Sequence, residues 1–315
     1  MYEKWKGVHT RCAFNMIQEL IPLTRPRTLA AALGPTILGA AFSYYAFGAA
    51  QGTGLAIFHT VLIFLAVVTA QIVANLWNEY KDFKSGLDAG QKVGNAGSIT
   101  RGVITPELII TMIKALMFVP IIIGLYLSAT ITWYYIPVGF LCILISFLYS
   151  GGPKPISRTP FGEISSGIAM GFAIVLITGY AWIRELSLAL LIPAIPSTLL
   201  VGSIMLTNNI RDIRNDESHG RHTLPIVLGR ERALSLMSIS YIFNFIWIIA
   251  WIIVGHMTWF TLLAFLAAPL AFKTIHTLSN NTDEFQLDKA MGTTAGSAMI
   301  YQLMWAIGLI MGKLF

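Results

Sequence analysis

Residues 75–88 read Asn75-Leu76-Trp77-Asn78-Glu79-Tyr80-Lys81-Asp82-Phe83-Lys84-Ser85-Gly86-Leu87-Asp88, directly after an apolar run that starts near residue 55. About 20 apolar residues cross the hydrocarbon of a bilayer as a helix, so this stretch reads as a membrane span ending in a row of amides and carboxylates. A second apolar run ends the same way, in Asn208-Asn209-Ile210-Arg211-Asp212-Ile213-Arg214-Asn215-Asp216. Both endings contain Asn-x-x-x-Asp, and the same interval separates Asn78 from Asn208 and Asp82 from Asp212.

The whole chain agrees with this reading. Of 315 residues, 56% are hydrophobic and only 11% charged, and the mean hydropathy is +0.69. Soluble domains carry about a quarter charged residues, so a soluble protein is excluded. Nine spans are expected, at about 28–49, 55–77, 107–130, 131–149, 163–183, 187–208, 233–254, 256–275 and 293–313. The expected fold is an all-α integral membrane protein, a nine-transmembrane-helix bundle forming one polytopic domain over 1–315. Residues 27–315 make the bundle, and 1–26 form an interfacial N-terminal segment with a surface helix near 12–23. Cys12 and Cys142 lie in different regions and predict no disulfide.

Basic residues set the orientation. With a cytoplasmic N-terminus, loops 78–106, 150–162, 209–232 and 276–292 are cytoplasmic and carry most of the lysines and arginines, whereas the opposite side keeps Arg184 and Lys313. This positive-inside asymmetry places both acidic endings in the cytoplasm. The net charge of +6 follows from that topology, and no soluble basic domain exists to bind nucleic acid. No stretch calls for an obligate protein partner; the expected partners are membrane lipid and a lipid-like substrate.

On a helix Asn75, Asn78 or Glu79, and Asp82 share a face, as do Asn208, Asp212 and Asp216. Ionisable groups at membrane depth cost at least about 2.5–3.5 kcal/mol each, so two matching rows need a reason beyond an ordinary interfacial boundary. Carboxylates are oxygen ligands for Mg²⁺, which in turn holds phosphate oxygens. Two such rows facing one cavity would clamp a diphosphate. Asp88 lies off the helical face and joins the site only if Gly86 ends the helix and turns the chain. Lys92, Arg101 and Arg211 stand within or beside the rows and suit a diphosphate leaving group; Arg25, before Pro26, stands near the same surface. The loops that follow the rows, 89–106 and 217–232, are basic and glycine-bearing and suit a phosphate cap.

These residues resemble the UbiA superfamily of intramembrane prenyltransferases, whose members pair two aspartate-rich motifs on a nine-helix bundle. Thr24-Arg-Pro-Arg-Thr28, the stretch 75–88, Tyr149-Ser-Gly-Gly-Pro-Lys-Pro155, Thr159-Pro-Phe-Gly-Glu163 and Asn208-Asn-Ile-Arg-Asp212 with Gly220-Arg-His-Thr-Leu224 carry the likeness. The two segments from Tyr149 to Glu163 favour the branch that prenylates 1,4-dihydroxy-2-naphthoate in menaquinone synthesis. Glu79 stands where the wider superfamily has Asp, and two extra residues precede Asp88.

The resemblance implies two Mg²⁺ ions, with Mn²⁺ as a substitute, held by Glu79, Asp82, Asp212 and Asp216 with Asp88 nearby. Asn75, Asn78, Asn208, Lys92, Arg101 and Arg211 would assist the diphosphate of a polyprenyl donor. Ionisation gives an allylic cation that the naphthoate ring attacks at its carboxylated carbon, with loss of carbon dioxide. Tyr149 either shields that cation or is an interfacial tyrosine, and Arg25 is the candidate for the acceptor's carboxylate. Gly34, Gly39, Gly167, Gly171 and Gly179 either shape a channel for the isoprenoid tail or pack helices. The implied location is a bacterial cell membrane with the active site on the cytoplasmic face. Competing readings are a related enzyme acting on 4-hydroxybenzoate, homogentisate or a glycerol phosphate, and a transporter using intramembrane acids.

Overall fold

Local sequence sets where each helix starts and stops. Thr105 precedes Pro106 and its hydroxyl accepts the amide of Leu108, while Asp283 accepts the amide of Gln286 in the same way. Such side chains satisfy amides that a helix start leaves open. Gly86 closes another helix in the left-handed region, φ 76°, with its amide on the carbonyls of Asp82 and Phe83.

The computed structural model describes residues 20–87 and 97–315. Among these, eight helices are long and apolar enough to cross a membrane: α1 Pro26–Phe47, α2 Thr53–Ser85, α3 Pro106–Thr130, α5 Gly162–Ile183, α6 Leu188–Ser218, α7 Arg230–Ile253, α8 Trp259–Asn280 and α9 Glu284–Leu314. A ninth apolar helix, α4 Tyr135–Ser150, has 16 residues. At about 1.5 Å per residue it is shorter than a typical bilayer core.

Three helices run past the expected membrane spans. α2 continues through the acidic row to Ser85, α6 to Ser218, and α9 begins at Glu284 rather than near 293. The apolar pattern stops before the helix does, because Asn, Glu, Lys and Asp continue a helix until glycine interrupts it. At 33 residues, α2 would be about 50 Å long, so its acidic turns project beyond the hydrocarbon. The predicted surface helix near 12–23 falls mostly outside the described residues; Leu20–Leu23 is helical and Leu23 is buried.

α9 packs against α1, α6 and α8, α2 against α3, and α1 against α5. Buried hydroxyl and amide pairs tie α6 to α9: Thr207 lies 3.0 Å from Thr294, and Ser197 donates to Gln302 at 2.9 Å. All five glycines left open between channel and packing are packing residues. A Cβ at Gly167 or Gly171 would stand 2.5 Å from the carbonyl oxygen of Thr198 or Ser197 on α6; one at Gly34 or Gly179 would meet the side chain of Gln302 on α9 or of Leu190 at the same distance, and one at Gly39 the carbonyl oxygen of Val175 on α5 at 3.0 Å. Small residues let helices approach in this way. Between the Gly167 and Gly171 contacts α5 runs as a π-helical segment, Gly167–Phe172. Such segments are frequent at functional sites, and Ser165, Ser166, Ala169 and Met170 line a cavity in the bundle here.

Candidate active site

The α2 residues Val67, Ala70, Gln71, Ala74, Asn75, Asn78 and Asp82 recur at helical spacing and form one wall of a cavity of about 280 Å³. α6 supplies Asn208, Arg211, Asp212 and Asp216 to the same cavity. The two acidic rows therefore face each other. Ile145, Ile174, Ile177 and Cys142 make an apolar part, and Tyr149 lines the wall beside Ser150.

Arginine links the rows. Gly220, φ 67°, turns the chain after α6, and the Arg221 amide donates back to the Asp216 carbonyl. The Arg221 guanidinium then donates to Oδ1 of Asp82 at 2.9 Å and lies 3.2 Å from Oδ1 of Asp216. Arg211 holds Asp212 with two parallel bonds of 2.7 and 2.8 Å, the fork geometry in which guanidinium recognises carboxylate best. Its Nη2 donates also to Asn208 at 2.9 Å, and Nη1 donates to Asp288 of α9 at 2.8 Å. Asp288 also accepts from Arg27 at 2.7 Å.

The asparagines of α2 hold the segment before α1. Asn75 donates to the carbonyl of Thr24 at 2.9 Å. Asn78 accepts from Arg25 at 2.9 Å and donates to Ser150 of α4 at 3.0 Å. Arg25 has a left-handed backbone, φ 49°, which is unfavourable by roughly 1–2 kcal/mol for a residue with a Cβ. That turn carries its guanidinium into the cavity wall.

Glu79 is placed differently from the expected metal ligand. It falls a further step round α2 from Asn78 and is absent from the cavity wall. It is 1% exposed, and its Oε1 accepts the amides of Gly97 and Ser98 at 3.0 and 2.7 Å. Its extra methylene, compared with Asp, carries the carboxylate to this loop. Arg101 sits on the same loop, donates to Ser98 at 3.3 Å, and likewise does not line the cavity. Asp88 and Lys92 lie outside the described residues.

Sequence reading missed Asp288 and undervalued Arg221. Arg221 carried a signal, in the basic Gly220-Arg221-His222-Thr223 run, whereas Asp288 carried none, being one of three acids, with Asp283 and Glu284, in an apparent loop. A further buried pair, Glu163 accepting from Asn209 at 2.8 Å, joins α5 to the second row.

The donor set fits a divalent cation shared with phosphate. Asp82, Asp212 and Asp216 offer hard oxygens to one cavity, and Oδ2 of Asp216 is buried with no hydrogen-bond partner. Among the described residues no three His, Cys, Asp or Glu side chains form a ready cage. Mg²⁺ commonly uses one or two carboxylates plus substrate phosphates instead of an all-protein cage.

Comparison with known proteins agrees with the fold. Residues 32–305 match the model of the UbiA prenyltransferase family. The 1,4-dihydroxy-2-naphthoate octaprenyltransferase of Bacillus subtilis is 35% identical over 94% of this chain and 93% of that protein. The Escherichia coli protein of the same name is 26% identical over 96% and 99%. Among solved structures, the apo UbiA homolog of Aeropyrum pernix shares the fold with a TM-score of 0.66, at 17% identity over 90% of this chain and 97% of that one. The Archaeoglobus fulgidus UbiA homolog, bound to GPP and Mg²⁺, shares it at 0.61, with 17% identity over 90% and 98%. With its apolar helices and two facing acidic rows, this chain is an integral membrane protein that belongs to the UbiA prenyltransferase family.

Proposed function

We propose that the chain transfers a polyprenyl group from polyprenyl diphosphate to 1,4-dihydroxy-2-naphthoate, releasing carbon dioxide and diphosphate and giving demethylmenaquinol. The observation that carries this reading is the single cavity in which Asp82, Asp212 and Asp216 meet Arg25, Arg211 and Arg221 beside an apolar wall. A diphosphate head fits the charged part, and an isoprenoid fits the wall of Val67, Ile145, Ile174 and Ile177. The naphthoate is chosen because the relatives named above act on it by name.

Asp82, Asp212 and Asp216 would hold Mg²⁺, or Mn²⁺ in its place, with Asp88 as a further candidate. When bound, the cation neutralises the diphosphate as its bond to carbon breaks. Asn78 and Asn208 orient the neighbouring arginines, and Arg211 and Arg221 face the leaving oxygens. The carbon–oxygen electron pair departs with the diphosphate. Tyr149 lines the cavity where its ring can stabilise the allylic cation. The ring carbon bearing the carboxylate attacks that cation, and the electrons of the carbon–carboxylate bond return to the ring as carbon dioxide leaves. Arg25 would hold the carboxylate before that step. The rows lie on the cytoplasmic face, following the basic loops.

Purified protein in lipid nanodiscs should release labelled carbon dioxide from carboxyl-labelled naphthoate only with a polyprenyl diphosphate and Mg²⁺ or Mn²⁺. Prenylation of 4-hydroxybenzoate in preference to the naphthoate would overturn the acceptor and leave the transferase.

A further inference from the structure

Arg221 occupies a position that the two acidic rows do not explain by themselves. Its guanidinium donates to Asp82 on α2 at 2.9 Å and lies 3.2 Å from Asp216 on α6, in each case at Oδ1. The side chain is 11% exposed and the two acids 14% and 3%. One cation therefore already joins the carboxylates that the proposed function gives to a metal. Its place is fixed from outside the cavity: Gly220 turns the chain, and the neighbouring His222 amide donates to the carbonyl of Arg158 at 3.0 Å.

The geometry points to Arg221 as an exchangeable counter-ion that makes metal binding depend on the prenyl donor. This rests on the metal clamp proposed above. A guanidinium beside Asp82 and Asp216 repels a second cation and occupies one oxygen of each acid. A diphosphate offers the guanidinium several anionic oxygens within the same cavity, in the bidentate form that arginine prefers. Once Arg221 turns to the diphosphate, both carboxylates are released to the metal. Metal and donor then favour each other's binding, and this coupling is reciprocal by thermodynamic linkage. The device guards the site: carboxylates paired with arginine do not collect divalent ions when no substrate is present. The same exchange brings a positive charge to the leaving group as the metal arrives.

Arg221 contacts the donor in this account, and its test is metal affinity rather than turnover. Free Mn²⁺ is followed by electron paramagnetic resonance as it is titrated into detergent-solubilised protein, with and without a thiodiphosphate donor analogue. No acceptor is added, so acceptor identity plays no part. Without the analogue, Arg221→Gln should bind Mn²⁺ at least about fivefold tighter than the unaltered protein, the lower end of usual coupling factors. The analogue should tighten Mn²⁺ binding strongly in the unaltered protein and in Arg221→Lys, and much less in Arg221→Gln. Thermal melting of both variants establishes that they are folded, and Arg221→Lys provides the measurement if Arg221→Gln is not: its weaker grip predicts intermediate Mn²⁺ affinity without the analogue. Equal or weaker Mn²⁺ binding by the variants would overturn the exchange and leave Arg221 as an orienting partner of the carboxylates. Failure of the unaltered protein to bind Mn²⁺ even with the analogue would overturn the metal clamp itself.

Discussion

Arg211 of α6 donates to Asp288 of α9 over 2.8 Å, closing a chain of charges that runs from Arg27 through Asp288 and Arg211 to Asp212. Arg211 is 9% exposed, so its charge is satisfied by these partners and not by water. Asp288→Asn keeps the shape and removes the charge that Arg27 and Arg211 share. Charge-assisted bonds are worth about 1.5–3 kcal/mol, so kcat/KM should fall about ten- to hundredfold. Steady-state kinetics at saturating Mg²⁺ check this. An unchanged kcat/KM would show that Asp212 is positioned without help from α9.

Asp82 and Asp212 should be more demanding. Each presents a carboxylate to the cavity from a different row, and replacing either by Asn removes a negative charge from the proposed clamp. Asp82→Asn and Asp212→Asn should abolish turnover while leaving expression and membrane insertion intact. Activity assays at limiting Mg²⁺ provide the measurement, and near-normal turnover by either variant would sink the two-row clamp.

Glu79 separates loop anchoring from metal binding. Its Oε1 holds the amides of Gly97 and Ser98, and a glutamine still offers an acceptor oxygen there. Glu79→Gln should therefore keep clearly more activity than Asp82→Asn. Glu79→Ala leaves both amides without that partner, an unpaired buried donor costing about 1–3 kcal/mol each, and should expose the 97–104 segment to limited proteolysis. Equal loss in Glu79→Gln and Asp82→Asn would return Glu79 to the metal.

These contrasts show what the chain made legible. Asn75, Asn78 and Asp82 share a face because helical spacing depends only on local geometry, and the matching α6 row follows by the same rule. Glu79 read as part of that row because one helical step is small on paper, yet it decides between cavity and loop. Apolarity marks the hydrocarbon spans and not the helix ends: α2 and α6 continue as polar helix beyond their spans, as the shared face of each row requires. Asp288 was invisible because nothing local distinguishes an acid that meets Arg27 and Arg211 from one that meets water. Its role appears only when α9 packs beside α1 and α6.

Orientation is open to direct labelling. Ser218 ends α6 on the side of the acidic rows, and Gly52 precedes α2 at the opposite end of the bundle. In a background with Cys12 and Cys142 changed to serine, a cysteine at Ser218 should react with an impermeant maleimide only from the cytoplasm. A cysteine at Gly52 should react only from outside. The reverse pattern would place the charged part of the cavity away from the cytosol and remove the cytosolic route for a naphthoate.

Arg25 bears on the acceptor. Its guanidinium donates to Asn78 and lines the cavity, and Asn78 is anchored in turn to Ser150. Arg25→Ala removes a cation beside the proposed carboxylate site, and loss of one charge-assisted contact costs about 1.5–3 kcal/mol. The acceptor KM should rise about tenfold or more, with a smaller change in kcat. Because the same change also loosens Asn78, a control separates the two effects. A dihydroxynaphthalene lacking the carboxylate has nothing to offer Arg25, so its weak binding should be nearly the same in the unaltered protein and in Arg25→Ala. If the variant weakens both compounds alike, Arg25 serves the wall through Asn78 and the carboxylate is held elsewhere.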